Sequence, residues 1–358
     1  MTWQKTIAAM ALTEGQFDAM KNRLIDRMGW RNPLQIVAYR GYGTAQAVTV
    51  RGRVLEDPGL SAAADNDSVW TNLANMARRF ASDEVPNAQV RVSGLGHSVV
   101  AITDEEGYFS ATLSPTAAGS TTQDDPARYP VALDLLHPLS KNGADIHAQG
   151  QVMIPGPEAR FGVISDVDDT VLITGATDAV GMARTVFTGN ALSRMAFDGV
   201  ADLYRALRGS QGNPIFYVSS SPWNLYDLLD DFLALNDLPA GPILLRDWGL
   251  SSGELLPTDH HHHKVGAINA ILNTYPDLPF LLLGDSGQQD PEIYAQIAAE
   301  QPGRILGILI RDVGPGAARA TQIREMAQSV AKSGVPMHLV ADSAEAAEHA
   351  LAEGWINQ

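Results

Sequence analysis

Asp166-Val167-Asp168-Asp169-Thr170 places three carboxylates in four positions. Such a group repels itself unless a cation joins it, and a hard divalent ion such as Mg²⁺, which takes carboxylate, carbonyl and water oxygens, suits it. Acids of this kind also cap helices and solvate loops, so the segment alone leaves both uses open. Further on, Ser219-Ser220-Ser221-Pro222 sets hydroxyls just before a helix opened by proline, where backbone N–H groups point toward an anion. Ser221 equally suits an ordinary N-cap. Lys264 stands where the stripe Val265, Ile268, Ile271 and Leu272 begins. A cation is disfavoured at a helix start, so a lysine there is expected to face a bound anion; the alternative is a solvated surface lysine. Gly284-Asp285-Ser286-Gly287-Gln288-Gln289-Asp290 then adds two acids in the spacing GDxxxxD.

Short apolar runs precede most of these groups. Strands are expected at Phe161–Ser165, Ile215–Ser219, Ile243–Leu245, Phe280–Leu283, Ile305–Ile310 and Met337–Val340, each nearly continuously apolar, as strands buried on both faces are. Amphipathic helices separate them. One spans 223–235, with Leu225, Leu228, Leu229, Phe232 and Leu233 on one face. This alternation predicts an α/β domain with a doubly wound parallel sheet, whose ligands sit at the carboxyl ends of the strands. The four groups fall in order at those ends. The alternation also disposes of GDSG as a trypsin-like nucleophile, which needs an antiparallel double barrel, and no G-x-S-x-G elbow is formed.

Upstream the grammar differs. Val48–Val50, Val90–Val92, Val99–Ile102 and Tyr108–Leu113 are short alternating strands, expected to build a β-sandwich over 31–154 with a helix at Val69–Phe80 inserted. Pro155-Gly156-Pro157 punctuates the chain and marks the boundary, with the α/β domain at 158–358. Residues 1–30 are expected to carry an amphipathic helix, since Thr13 and Gln16 form a capping box and Phe17, Met20, Leu24, Ile25 and Met28 recur at helical spacing. The first sixty residues hold eight Lys or Arg against five acids, a local excess of base that either docks on anionic lipid or only solvates a helix face.

The 358 residues carry a net charge of −16, which argues against nucleic acid as a partner. Cysteine is absent, excluding disulfides, thiolate metal sites and a cysteine nucleophile. No apolar run reaches the roughly 18 residues of a membrane span. The run Thr6–Leu12 is short for a signal peptide, so a cytoplasmic protein is expected, meeting a membrane only at its surface. His260–His263 precede Lys264, and four consecutive side chains cannot converge on one ion. Residues 171–214 are expected to be a short helical segment with Arg184, Arg194, Arg205 and Arg208, leaving an open site.

DxDxT, a strand-end serine, a lysine and GDxxxxD together resemble the four-motif signature of the haloacid-dehalogenase-like phosphatase superfamily. More narrowly, DVDDTVLITG, YVSSSPWNLY and YPDLPFLLLGDSGQQDPEIY look like the catalytic domain of the actin-patch-protein type of phosphatidate phosphatase, over about residues 158–330. The resemblance implies that Asp166 attacks phosphorus and that Asp168 protonates the leaving oxygen and then deprotonates water. It implies Mg²⁺ held by Asp166, Asp285 and the backbone carbonyl of Asp168, with Asp290 a ligand through water or an orienter of Lys264. Lys264 and Ser219 would hold phosphoryl oxygens, with Ser220 as alternative to Ser219, and Thr170 bracing the loop rather than touching phosphate. A phospholipid head group is the implied substrate. A soluble or protein-bound phosphate, or a phosphoacceptor switch or binding module without turnover, are the other readings.

Overall fold

The computed structural model describes residues 33–56, 84–116, 127–139, 145–173, 196–246, 260–314 and 316–357. The helices expected at 13–28 and at Val69–Phe80 lie outside the described residues, as do 174–195 of the segment between the first two site loops, Arg184 and Arg194 included.

Seven strands form a first, mixed sheet: β1 (Leu34–Gly43), β2 (Val48–Glu56), β3 (Gln89–Gly94), β4 (His97–Ile102), β5 (Tyr108–Leu113), β6 (Arg128–His137) and β7 (His147–Met153). Their order is β4-β3-β6-β7-β1-β2-β5, with β1 and β7 parallel and the other neighbours antiparallel. Alternate residues turn inward, so Val48, Val50, Val90, Val92, Leu113, Val131, Leu133 and Val152 make one core while their neighbours face outward. All seven belong to one hydrogen-bonded sheet, where the sequence suggests the two layers of a sandwich. Its edge strands β4 and β5 are joined by a short turn, and Ser114 N donates to His97 Nδ1 across them (3.2 Å).

The second sheet is wholly parallel. It contains β8 (Gly162–Asp166), β9 (Ile215–Pro222), β10 (Ile243–Arg246), β11 (Phe280–Asp285), β12 (Ile305–Arg311) and β13 (Met337–Val340), in the order β10-β9-β8-β11-β12-β13. The helices are α1 (Val200–Arg208), α2 (Tyr226–Leu235), α3 (His260–Thr274), α4 (Asp290–Glu300), α5 (Ala317–Ala331) and α6 (Ser343–Ala352). On one face Leu203 and Leu207 of α1, Phe232 of α2 and Ala350 of α6 meet Val163, Tyr217 and Leu281. On the other, Ile271 of α3, Ile297 of α4 and Ile323 of α5 meet Ile164, Phe216 and Leu282. Because successive side chains of a strand go to opposite faces, both must be apolar, and every residue of β8 and β11 is buried. The chain order reverses between β8 and β11, the place where open parallel sheets take their ligands, at the carboxyl end of the strands.

Strand β1 ties the two sheets together. Tyr39 and Tyr42 are buried in the cores of the parallel unit, and Tyr275 Oη donates to Gly43 O (3.1 Å). Arg128 Nη2 donates to Ala240 O (2.9 Å). No helix among the described residues is long and apolar enough to cross a membrane.

Candidate active site

Asp166 is the last residue of β8, and Asp285 the last of β11, the strand beside it. Both carboxylates are buried to 1% exposure. Lys264 Nζ lies 2.7 Å from Asp166 Oδ1 and also reaches Asp290 Oδ1, and Thr170 Oγ1 donates to Asp166 Oδ2 (3.2 Å). Thr170 thereby ties its turn of the loop back onto Asp166. Asp290 uses its second oxygen to accept from Asp285 N (3.2 Å), so both its oxygens are engaged. Asp285 Oδ1 accepts from Gly287 N (2.7 Å) and Gln288 N (2.9 Å), while Oδ2 is buried without a hydrogen-bond partner.

Lys264 falls in the second turn of α3, because His260–His263 form the first. The expectation that it opens a helix is thus corrected. Charge explains its placement: burial alone would lower the ammonium's pKa, but the carboxylates of Asp166 and Asp290 more than reverse this and hold it above the ordinary lysine range. For Asp166 the balance goes the other way. Burial raises its pKa, Lys264 pulls it down, and Asp290, Asp285 and Asp168 push it up again, leaving it well above the usual carboxylate range. Burial, reinforced by Asp290, pushes Asp285 up to about 7.

Asp168 projects from the loop two residues beyond Asp166, half-buried, and its Oδ2 accepts from Ser219 Oγ (2.8 Å) and Ser221 Oγ (3.5 Å) at the end of β9. Burial raises its pKa, and the Ser219 hydrogen bond opposes that rise. Ser219 Oγ also accepts from Ser221 N (3.0 Å), which fixes its rotamer. The N-cap expected of Ser221 is corrected: it lies within β9, and Pro222 occupies the cap of a single 3₁₀ turn, Trp223–Leu225, that precedes α2. Ser220 is half-buried beside them.

Three residues that shape this site are not singled out by the sequence, and Ser221 reads there only within the serine group or as an N-cap. Gln288 Nε2 donates to Asp168 O (3.2 Å), the carbonyl expected to face a cation. Arg319 holds the loop after β11 through Ser286 O (3.1 Å) and Gln288 O (2.8 Å), and is itself forked onto Glu292. Arg311, buried at the end of β12, donates to Thr170 O (3.2 Å) and Ser343 Oγ (2.8 Å) beneath the Phe197 ring. Sequence spacing gives no signal for Gln288, Arg319 and Arg311, since each donates to backbone carbonyls of a loop distant in sequence. Arg205, by contrast, pairs locally with Asp202 (2.5 Å).

Asp166, Asp285 and Asp290 offer oxygens within 4.8 Å of one another, all buried. Three carboxylates of this kind with one orphaned oxygen on Asp285 fit a hard divalent cation. The chain around these loops is similar to known proteins. Residues 161–312 match the family described as phosphatidate phosphatase APP1, catalytic domain. The likeness read from the motifs is therefore borne out over that segment. Phosphatidate phosphatase APP1 of Saccharomyces cerevisiae is 32% identical over 235 residues, 65% of this chain and 39% of the yeast protein. An uncharacterised protein of Schizosaccharomyces pombe is 32% identical over 212 residues, 59% of this chain and 34% of that one. The chain thus spans well under half of either relative. Among solved structures, a carbohydrate acetylesterase from Xanthomonas citri aligns at TM-score 0.29 and 13% identity, over 83% of this chain and 65% of that one, too slight a likeness to carry an argument.

Proposed function

We propose that the protein is a Mg²⁺-dependent phosphomonoesterase working through an aspartyl-phosphate on Asp166, with a phospholipid such as phosphatidate as substrate. In this reading residues 158–358 are a doubly wound, haloacid-dehalogenase-like catalytic domain, and 31–154 a separate β domain beside it. One observation carries the proposal: a buried carboxylate, Asp166, is paired with Lys264 at 2.7 Å, and the second acid of the same loop, Asp168, is held two residues away by serine hydroxyls. The match of residues 161–312 to the catalytic domain of phosphatidate phosphatase APP1 supports the reaction class and the lipid. A cytoplasmic protein in peripheral contact with a membrane goes with that substrate.

Asp166 would attack phosphorus, forming an acyl-phosphate bond between its carboxylate oxygen and phosphorus as the bond to the leaving oxygen breaks. Asp168, whose pKa is raised by burial, would give its proton to that oxygen. In the second half Asp168 takes a proton from water, and the water oxygen displaces the Asp166 carboxylate from phosphorus, releasing inorganic phosphate. Lys264 would move from its pairing with Asp166 to the phosphoryl oxygens, with Asp290 keeping it charged and aimed. Ser219 or Ser220 would hold a further oxygen. Asp166 and Asp285 are the residues that would hold Mg²⁺, with Asp290 behind them, and the ion when bound supplies positive charge against the repulsion between anionic nucleophile and anionic substrate.

A phosphoacceptor switch would keep Asp166 but has no use for an acid–base group, and the two hydroxyls on Asp168 favour turnover. The test is phosphate release from phosphatidate in mixed micelles and from a soluble aryl phosphate, with Mg²⁺ and with EDTA, comparing wild type with Asp166→Asn. Mg²⁺-dependent release from the lipid that vanishes in the variant supports the whole reading. Cleavage of the aryl ester alone removes the lipid; cleavage of neither by folded protein removes the phosphatase.

A further inference from the structure

We infer that Tyr39 and Arg40, adjacent on strand β1 of the mixed sheet, are positioning residues for the proton donor of the parallel sheet. They fix the turn that follows the serine loop and, through Ser219 and Ser221, the carboxyl of Asp168. The inference rests on the catalytic reading of Asp168 given above.

The chain leaves β9 at Pro222 and makes a single 3₁₀ turn, Trp223–Leu225, without a side-chain cap. One such turn has poor hydrogen-bond geometry and does not hold its place unaided. Leu225 anchors its far end in the core of the parallel unit, and Trp223, the residue next to the serine loop, is gripped from the other sheet. The Tyr39 ring stacks on Trp223 with centroids 4.8 Å apart and planes 20° apart, and lies 4.2 Å from the ring of Tyr226 at the start of α2. Trp223 and Tyr226 stack in turn at 6.1 Å. Arg40 N donates to Tyr226 Oη (2.6 Å), and its guanidinium forks onto Asp230, one turn further along α2 (2.6 and 3.0 Å). Two neighbouring residues of β1 therefore seize both the turn and the helix behind it.

Only Pro222 separates Trp223 from Ser221, and Pro222 has little freedom of its own because its ring fixes φ. A shift of the Trp223 ring thus passes directly to Ser221, whose hydroxyl lies 3.5 Å from Asp168 and whose N–H orients Ser219. Proton transfer in a displacement tolerates little misplacement: about 1 Å costs on the order of a hundredfold. The mixed sheet is, on this view, part of the acid–base machinery rather than a spacer.

A proton donor matters most when the leaving group is poor, which separates this role from general loss of stability. In Tyr39→Ala, kcat/KM for phenyl phosphate is expected to fall about tenfold further than for 4-nitrophenyl phosphate, whose leaving oxygen needs no proton. Tyr39→Phe, which keeps the ring, should behave as wild type. Asp230→Asn, at a partly exposed position, should move the ratio the same way by less, and it serves if Tyr39→Ala does not fold. Amide exchange provides a readout independent of activity: it should quicken at 219–225 and stay unchanged in β8 and β11. Equal losses on both esters, or exchange that is unaltered or quickened throughout the parallel sheet, would overturn the inference. If the wild type cleaves neither ester, the phosphatase reading fails, and the exchange pattern by itself decides whether β1 holds the loop.

Discussion

Lys264 stands between two buried carboxylates, and removing it leaves Asp166 and Asp290 facing each other without compensation. Breaking such a buried arrangement by deleting one partner costs about 3–5 kcal/mol, so Lys264→Met should lower the free energy of unfolding by that order in urea titrations. A loss under about 1 kcal/mol would mean that the acids are not ionised around it. Asp285 makes a prediction of its own. Its pKa is raised from 3.8 to about 7, first by burial and then by Asp290, so the folded state binds a proton that the unfolded state has released. The stability linked to that proton is complete below about pH 3.8 and is lost as pH rises toward 7. In EDTA, the melting temperature of wild type relative to Asp285→Asn should therefore fall across this window. A difference that stays flat from pH 4 to 7 would show that Asp285 does not titrate there.

Elements place these groups, and Gly284 shows how closely. A Cβ at this position would lie 2.6 Å from Asp290 Cβ and 2.5 Å from Asp290 Oδ2, so the glycine of GDxxxxD is the room that lets α4 bring its first acid against β11. Gly284→Ala should push Asp290 away from Lys264, destabilise by about 1–3 kcal/mol, and reduce kcat/KM at least tenfold in the phosphatase assay. Full activity would show that Asp290 tolerates displacement. The parallel strands were legible because burial on both faces writes continuous apolar runs such as Phe280–Leu283, and the acids at their ends were legible because acids are rare in such surroundings. The mixed sheet was less so. Strand β6 contains Pro130 and β7 contains Gly150, residues that read as breaks, yet both strands are kept by a core formed with distant partners. Ser221 and Gln288 could not be assigned their contacts with Asp168, because hydroxyl and amide groups reach across loops with no periodicity to announce them.

At the scale of the whole molecule, Asp166, Asp285 and Asp290, buried together at the ends of neighbouring elements, would on the proposed reading receive the cation. Mg²⁺ at about a hundred times its dissociation constant should stabilise the protein by about 2.7 kcal/mol, read as a rise in melting temperature that EDTA reverses. Asp285→Asn should abolish the rise; an unchanged rise would place the ion elsewhere. The strand order has a further consequence, for the history of the chain. Strand β8 lies between β9, which follows it closely in sequence, and β11, which comes after β10 and α3. During synthesis, then, β8 finds one neighbour early and waits for the other. Until Phe280–Asp285 has emerged, the strand bearing Asp166 presents an unpaired edge, and its buried acid has no Asp285 beside it. Open apolar edges invite pairing with other chains. The reversal of strand order beside Asp166 is thus also a point at which the nascent protein is open to aggregation, and β11 closes that edge as it brings in Asp285.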